Sequence, residues 1–141
     1  MIFVNLPVTD LARSIAFYEA VGATRNPQFS DDTAACMVIS DTIFVMLLTR
    51  EKFASFTSRP IGDRSSVHAL LCVSCDSKAA VLAQLDAATR AGGTPDPTPE
   101  QDYGLMYGRS YEDPDGHIWE IMWMDHAATA DGPPDAVGAS Q

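Results

Sequence analysis

The sequence has few cations and no long apolar run. Its 141 residues hold nine lysines and arginines against nineteen aspartates and glutamates, which gives a formal charge of -10. An acidic surface repels phosphate backbones and anionic headgroups, so we expect neither a nucleic acid nor a membrane as a partner. No stretch approaches the ~18–20 apolar residues that cross a bilayer, and the N-terminus lacks the residue order of a secretory signal. We therefore expect a cytoplasmic protein.

Cysteine is also scarce. The three cysteines are Cys36, Cys72 and Cys75, too few for a disulfide scaffold. Cys72 and Cys75 form a C-x-x-C pair of the kind found in redox and zinc sites. On a strand, however, a spacing of three points two side chains to opposite faces, and no second pair completes a zinc set. We interpret both as ordinary strand residues.

The order of elements repeats in the two halves of the chain. Each half begins with an alternating strand, at residues 2–8 and 67–75, and continues with a helical pattern that ends before glycine, at residues 11–21 and 78–90. Further strand-like stretches follow at residues 23–29, 33–40, 42–49, 103–111 and 117–124. This repeat predicts an α+β fold built from two βαβββ modules.

The module boundaries follow from the same pattern. We place one domain at residues 1–125, with module one at residues 1–57 and module two at residues 66–125. Residues 126–141 are rich in alanine, glycine, proline and aspartate without periodicity, which predicts a low-complexity tail.

A carboxylate stands out in the last predicted strand. Asp113-Pro114-Asp115-Gly116 has the composition of a tight turn. The alternation that follows places Glu120 on one face with Ile118 and Met122, opposite Trp119 and Ile121. A carboxylate among apolar side chains is costly unless it meets a metal, a cation or a hydrogen-bond donor.

With this repeat, three stretches of the chain resemble the vicinal oxygen chelate superfamily, which includes glyoxalase I, bleomycin-resistance-type proteins, fosfomycin-resistance enzymes and extradiol dioxygenases. The stretches are Val8-Thr9-Asp10-Leu11-Ala12-Arg13-Ser14 with Phe17-Tyr18, the strand at residues 67–73, and Asp113-Pro114-Asp115-Gly116-His117 with Glu120. Residues 29–48 and 106–110 look most like a bacterial glyoxalase-related subgroup. The resemblance implies modules that pair into a cup-shaped mixed sheet, commonly in a homodimer.

The resemblance also implies where a metal would bind. Metal-dependent members hold a divalent cation that acts as a Lewis acid, with ligands from the first and last strand of each module. By position these places fall on Phe3, Leu47, His68 and Glu120. Phe3 and Leu47 have no lone pair to offer, and a catalytic zinc site normally has at least three protein ligands. We therefore expect no ordinary glyoxalase I activity, and either no cofactor or a weakly bound divalent metal on His68 and Glu120.

The same cup predicts the catalytic and substrate-binding residues. If His68 faces Glu120, the two are candidate catalytic residues that work as an acid/base pair. His68 as a satisfied interior or rim side chain, and Glu120 as a carboxylate hydrogen-bonded by tyrosine or backbone donors, remain open alternatives. The candidate substrate-binding residues are Phe3, Asn5, Leu47, Tyr107, Arg109 and Met122. For Arg109, a clamp on a substrate anion competes with a salt bridge to an acidic residue.

Two functions follow, both with a small-molecule ligand. The first is a glyoxalase-related lyase or isomerase acting on a small oxygenated metabolite. The second is a metal-free binding or sequestration protein of the bleomycin-resistance type. Retention of His68 and Glu120 favours the enzyme, whereas Phe3 and Leu47 at ligand positions favour binding.

Overall fold

A computed structural model describes residues 1–127 and contains two mixed sheets, one from each half of the sequence. The α+β fold and the repeated strand–helix–strand order predicted from the sequence are therefore confirmed. Most of the predicted tail, from residue 128 on, lies outside the described residues. No helix in residues 1–127 is both long and apolar enough to span a membrane.

Module one forms a four-stranded sheet with the order β1-β4-β3-β2. Its elements are β1 (Ile2–Val8), α1 (Leu11–Ala20), β2 (Thr24–Asn26), β3 (Ala34–Val38), β4 (Ile43–Thr49) and α2 (Arg50–Ala54). The Asp10 side chain caps α1 by accepting a 3.0 Å hydrogen bond from the Arg13 N–H. Gly22, with φ of +104°, follows the helix in the left-handed conformation that favours glycine.

Module two forms a five-stranded sheet in which β5-β9-β8-β6 lie side by side and β7 pairs with β8. Its elements are β5 (Leu70–Ser74), α3 (Lys78–Arg90), β6 (Thr94–Pro95), β7 (Gln101–Asp102), β8 (Met106–Glu112) and β9 (Ile118–Met124). β5 runs parallel to β9, as β1 runs parallel to β4. The Ser77 hydroxyl caps α3 by accepting a 3.0 Å hydrogen bond from Ala80.

Two predicted strands differ from the observed ones. β5 begins at Leu70, so His68 lies in the connection that precedes the strand. The strand predicted at residues 23–29 stops at Asn26 and continues as a 3₁₀ turn, Pro27–Phe29. Pro27 has no N–H with which to extend the ladder.

One hydrophobic core joins the two modules. The core consists of side chains from α1 and α3 and from the faces of both sheets that these helices cover. Its members include Phe17, Leu47, Leu85, Tyr111 and Ile121. Because side chains alternate along a strand, each sheet also has an opposite face, which we call its outer face. The outer face of module one carries Phe3, Asn5, Phe44 and Met46, and that of module two carries Leu70, Cys72, Glu120 and Met122.

Polar contacts also join the modules. The Tyr18 hydroxyl of α1 donates to Asp113 Oδ2 at 2.7 Å and accepts from Trp119 Nε1 at 3.0 Å. Asp115 accepts hydrogen bonds from the Thr9 N–H at 3.0 Å and the Thr9 hydroxyl at 2.7 Å. The turn recognised in the sequence therefore holds module two against the start of α1.

Candidate functional site

The outer face of module one is aromatic where the resemblance implies a metal ligand. Phe3 and Phe44 are register partners on parallel strands, and their rings stack with centroids 4.8 Å apart and an interplanar angle of 14°. Asn5 lies beside Met46 in the same register. This face therefore presents two rings, a thioether and a neutral amide.

Leu47 does not belong to this face. It is fully buried in the shared hydrophobic core, on the helix-facing side of β4. This placement corrects the expectation that Leu47 lines the cup, because its neighbours Met46 and Leu48 point to the outer side.

Glu120 lies in the middle of the outer face of module two. Its register neighbours are Cys72 on β5 and Ser110 on β8, and Met122 lies two residues along β9 on the same face. The carboxylate is half-buried. Within residues 1–127, no hydrogen bond or ion pair reaches the Glu120 carboxylate. Neither tyrosine nor backbone donors bond to this carboxylate within residues 1–127, which differs from the alternative considered above.

The two cysteines of the C-x-x-C pair lie on opposite faces, as the spacing predicts. Cys72 lies on the outer face beside Glu120, whereas Cys75 packs against the core. Desolvation raises the pKa of the Cys72 thiol, and the negative charge of Glu120 raises it further. Desolvation and Asp76 raise the pKa of Cys75. Both thiols therefore stay protonated near neutral pH, which disfavours a redox or nucleophilic role.

Tyr107 and Arg109 lie on the face of β8 opposite to Glu120. The Tyr107 ring belongs to the hydrophobic core, and its hydroxyl donates to Glu100 at 2.7 Å. Arg109 forms a bidentate ion pair with Asp96, with N–O distances of 2.8 and 2.5 Å. This pairing lowers the pKa of Asp96 and raises that of Arg109. The expectation that Tyr107 and Arg109 line the cup is therefore wrong. Arg109 instead forms the salt bridge that was the alternative.

His68 and Asn5 meet in a cavity that does not include Glu120. The cavity has a volume of about 980 Å³ and lies between β1, the connection before β5 and the start of β9. His68 is exposed there, and its neighbours include the His117 side chain. Glu120, Met122 and Phe3 are not among the lining residues. The structure of residues 1–127 therefore does not bring His68 and Glu120 together in this cavity.

The donors on the outer faces do not fit a catalytic metal site. Among residues 1–127, no group of three or more histidine, cysteine, aspartate or glutamate side chains is placed to hold a metal ion. Module one offers Phe3, Phe44 and Met46 with the neutral Asn5, none of them a carboxylate, imidazole or thiolate. Since a second copy would bring the same strands, pairing two chains adds no such donor from module one.

Two features of the site escaped the sequence-based reasoning. Phe44 was not among the predicted site residues, and it is the parallel register of β1 and β4 that places it beside Phe3. Arg59 and Arg64, in the connection before β5, were not among the predicted site residues, but both line the cavity beside His68.

Comparisons with known proteins agree with this architecture. A family model described as the Glyoxalase/Bleomycin resistance protein/Dioxygenase superfamily matches residues 2–121. No functionally curated protein matches the chain.

Solved structures with this fold share little sequence with the chain. A glyoxalase-related enzyme from Fulvimarina pelagi is 19% identical with a TM-score of 0.74, covering 87% of this chain and 86% of its own. A glyoxalase/bleomycin resistance protein/dioxygenase family enzyme from Burkholderia phytofirmans is 23% identical with a TM-score of 0.70, covering 86% and 96%. A fosfomycin resistance protein from Mesorhizobium loti is 16% identical with a TM-score of 0.63, covering 87% and 90%. At these identities the likeness concerns the fold alone.

Proposed function

Because the chain belongs to the glyoxalase/bleomycin resistance protein/dioxygenase superfamily, we propose that its outer faces form a cup that binds a small aromatic cation without a metal. The ligand stacks on the rings of module one and pairs with the carboxylate of module two. Binding and sequestration, rather than metal-assisted chemistry, is the function that this combination supports best.

The Phe3–Phe44 stack is the observation that carries the proposal. Phe3 occupies a position where metal-dependent relatives place a ligand, and 51% of its surface is exposed although it is a large apolar side chain. Stacked rings offer a flat π surface that attracts aromatic ligands and cations. A ring pair at this position suits a binding surface and cannot serve as a metal-ligand set.

Glu120 supplies the polar half of the recognition. Its half-buried carboxylate has no hydrogen-bond donor or cation within residues 1–127, so a ligand cation can serve as its partner. A charge-assisted hydrogen bond of this kind is stronger than a neutral one, and apolar neighbours such as Met122 strengthen it by limiting access of water.

A second copy of the chain completes the cup in this proposal. Within residues 1–127, β1 pairs only with β4 and β5 only with β9, so the first strand of each module is an edge strand of its sheet. Apolar side chains lie along both edges, and Ile2 and Leu70 are 55% and 49% exposed. Unpaired edges that carry apolar residues are suited to association with another strand. The homodimer implied by the family resemblance would place β1 of one copy near β5 of the other.

A metal-free lyase or isomerase is the second candidate, and Glu120 again supports it. A carboxylate without a donor has free lone pairs, so it could take a proton from a carbon next to a carbonyl and return it to another carbon. His68 is not needed for this role. A substrate consumed by the wild type but not by Glu120→Gln, with no added metal, would favour this candidate over binding alone.

Titration with proflavine, a planar aromatic cation, tests the binding function. The protein is first treated with a chelator, and dye fluorescence then follows binding to the wild type, Phe3→Ala and Glu120→Gln. We expect saturable binding that weakens about tenfold or more in each variant, because each loses a stacking or charged contact.

Glu19→Gln is the matched control, since Glu19 is an exposed glutamate on α1. It removes the same charge and should bind the dye like the wild type. Absence of saturable binding, or equal losses in Glu19→Gln and Glu120→Gln, would contradict the proposal.

A further inference from the structure

The cavity beside His68 is basic in a strongly acidic protein. Four of the nine lysines and arginines of the chain line it, namely Arg13, Arg50, Arg59 and Arg64. Two of the three histidines, His68 and His117, also line it. The formal charge of the whole chain is -10, so this concentration of cations runs against the overall charge.

The acidic residues of the lining do not neutralise these cations fully. They are Asp63 and Asp115, two carboxylates against four guanidinium groups. Asp115 accepts two hydrogen bonds from Thr9 and a third from the Ser14 hydroxyl at 3.3 Å. Asp63 accepts from the Ser65 N–H at 2.8 Å, and this contact and the one to the Ser65 hydroxyl lower its pKa. Both carboxylates are thus occupied by hydroxyl and amide donors.

Two of the arginines are held by protein acceptors. Arg64 donates to Glu112 and to the Pro114 carbonyl, both at 2.8 Å, which fixes the connection before β5 against the turn before β9. Arg13 donates to the Thr9 hydroxyl at 3.0 Å and lies 3.8 Å from Asp115. These two arginines therefore lie beside carboxylates of the protein itself.

The other two arginines have no such acceptor. Within residues 1–127, the guanidinium groups of Arg50 and Arg59 form neither an ion pair nor a side-chain hydrogen bond. Each guanidinium carries five N–H donors in a planar fork that matches a carboxylate or phosphate. Arg50 and Arg59 are exposed and line the same cavity, so their N–H donors are available to an anion.

We propose that this cavity is a second binding site, which takes a small organic anion of the carboxylate or phosphate-monoester class. Its volume of about 980 Å³ accommodates a metabolite-sized molecule. Phe53, Ile61 and Leu71 add apolar wall, so the ligand has an apolar part beside its charged group. The site meets the outer faces at Asn5 and Ile118, and neither Phe3 nor Glu120 lines it.

Calorimetric titration with phenyl phosphate and benzoate tests the site. We expect at least one of these anions to bind saturably to the wild type. In Arg50→Gln/Arg59→Gln its affinity should fall about tenfold or more, because charge-assisted hydrogen bonds are lost. The tighter of the two probes identifies the anion class, and benzylamine, a cation of similar size, should not bind there.

Arg25→Gln/Arg90→Gln is the matched control. It removes the same charge from exposed arginines that do not line the cavity, and its affinity for the anion should stay within about twofold of the wild type, since exposed charges act weakly. No saturable binding of either anion, or an equal loss in both double variants, would overturn the proposal. Glu120→Gln should leave anion binding unchanged, so failure of this site and failure of the cup are distinguishable.

Discussion

At the scale of single residues, the Tyr18 hydroxyl forms two of the hydrogen bonds that join the modules. The side chain is 2% exposed, and its hydroxyl connects Asp113 of the turn with Trp119 of β9. Burial raises the pKa of Asp113, while the hydrogen bonds from Tyr18 and from two backbone N–H groups, together with nearby His117, lower it. Burial, followed by the charge of Asp113, raises the pKa of Tyr18 well above its ordinary value. Tyr18 therefore stays a neutral donor to this carboxyl.

Tyr18→Phe should destabilise the protein by about 1–3 kcal/mol, because it leaves a buried carboxyl oxygen and the Trp119 N–H without their partner. Urea unfolding followed by tryptophan fluorescence measures the change. Tyr103→Phe is the control, since no hydrogen bond of the Tyr103 hydroxyl occurs within residues 1–127, and it should change stability by less than about 0.5 kcal/mol. Similar losses in both variants would mean that the hydroxyl of Tyr18 has no special role.

At the scale of elements, the end of α3 packs closely against both α1 and β8. A Cβ atom at Gly93 would lie 2.7 Å from the Glu112 carbonyl oxygen and 2.9 Å from Phe17 Cε2. Because Gly93 has no side chain, the end of α3 can lie this close to α1 and β8.

Gly93→Ala should destabilise the protein by about 1–3 kcal/mol, because a methyl group there overlaps backbone that cannot move freely. Gly62→Ala is the matched control, since its Cβ would meet nothing within 4 Å. We expect thermal unfolding to show a lower Tm for Gly93→Ala and no loss for Gly62→Ala. Equal Tm values would contradict the close packing of α3 against Phe17.

Local sequence signals were enough to predict most helices and strands. The bounds of the others depend on pairing between strands that are distant in the sequence. α3 was predicted with its exact bounds, Lys78–Arg90, because a serine cap and a glycine pair define a helix by themselves. β5 was predicted three residues too early at its start and one residue too long at its end. The strand begins at Leu70 because its partner, Ile118, is the first residue of β9.

The face of each candidate residue was predictable only where the strand alternates clearly. The Asp113–Gly116 turn marks where β9 begins, so the period of two along the strand correctly placed Met122 on the same face as Glu120. β4 is apolar on both sides, so nothing in its own sequence shows that Leu47 points to the core. β8 places Arg109 on the same face as two tyrosines, and its sequence alone does not show whether that face meets the helices or the cup.

At the scale of the whole molecule, the two proposed binding regions differ in charge and in lining. The outer faces carry Phe3, Phe44 and Glu120, a combination suited to an aromatic cation, whereas the cavity near the connection carries unpaired arginines suited to an anion. The net charge is -10, so the electrostatic field of the whole molecule attracts cations. Anions are attracted only near the arginines that line the cavity.

The proposed cup also determines which chains contribute its residues. One hydrophobic core already covers the helix-facing sides of both sheets, so the outer faces look away from that shared core. A cup that joins Phe3 to Glu120 then takes the two residues from different chains. We propose that Phe3 of one chain and Glu120 of another form each cup.

Complementation between two variants tests that claim most directly. Phe3→Ala and Glu120→Gln chains are denatured, mixed in equal amounts and refolded in the presence of chelator, and proflavine binding is measured. Each variant alone should bind weakly. In a random mixture of dimers, half are mixed and each mixed dimer has one intact cup, so about one quarter of the cups should bind with wild-type affinity. A mixture that binds no better than the separate variants would contradict a metal-independent cup formed between two chains.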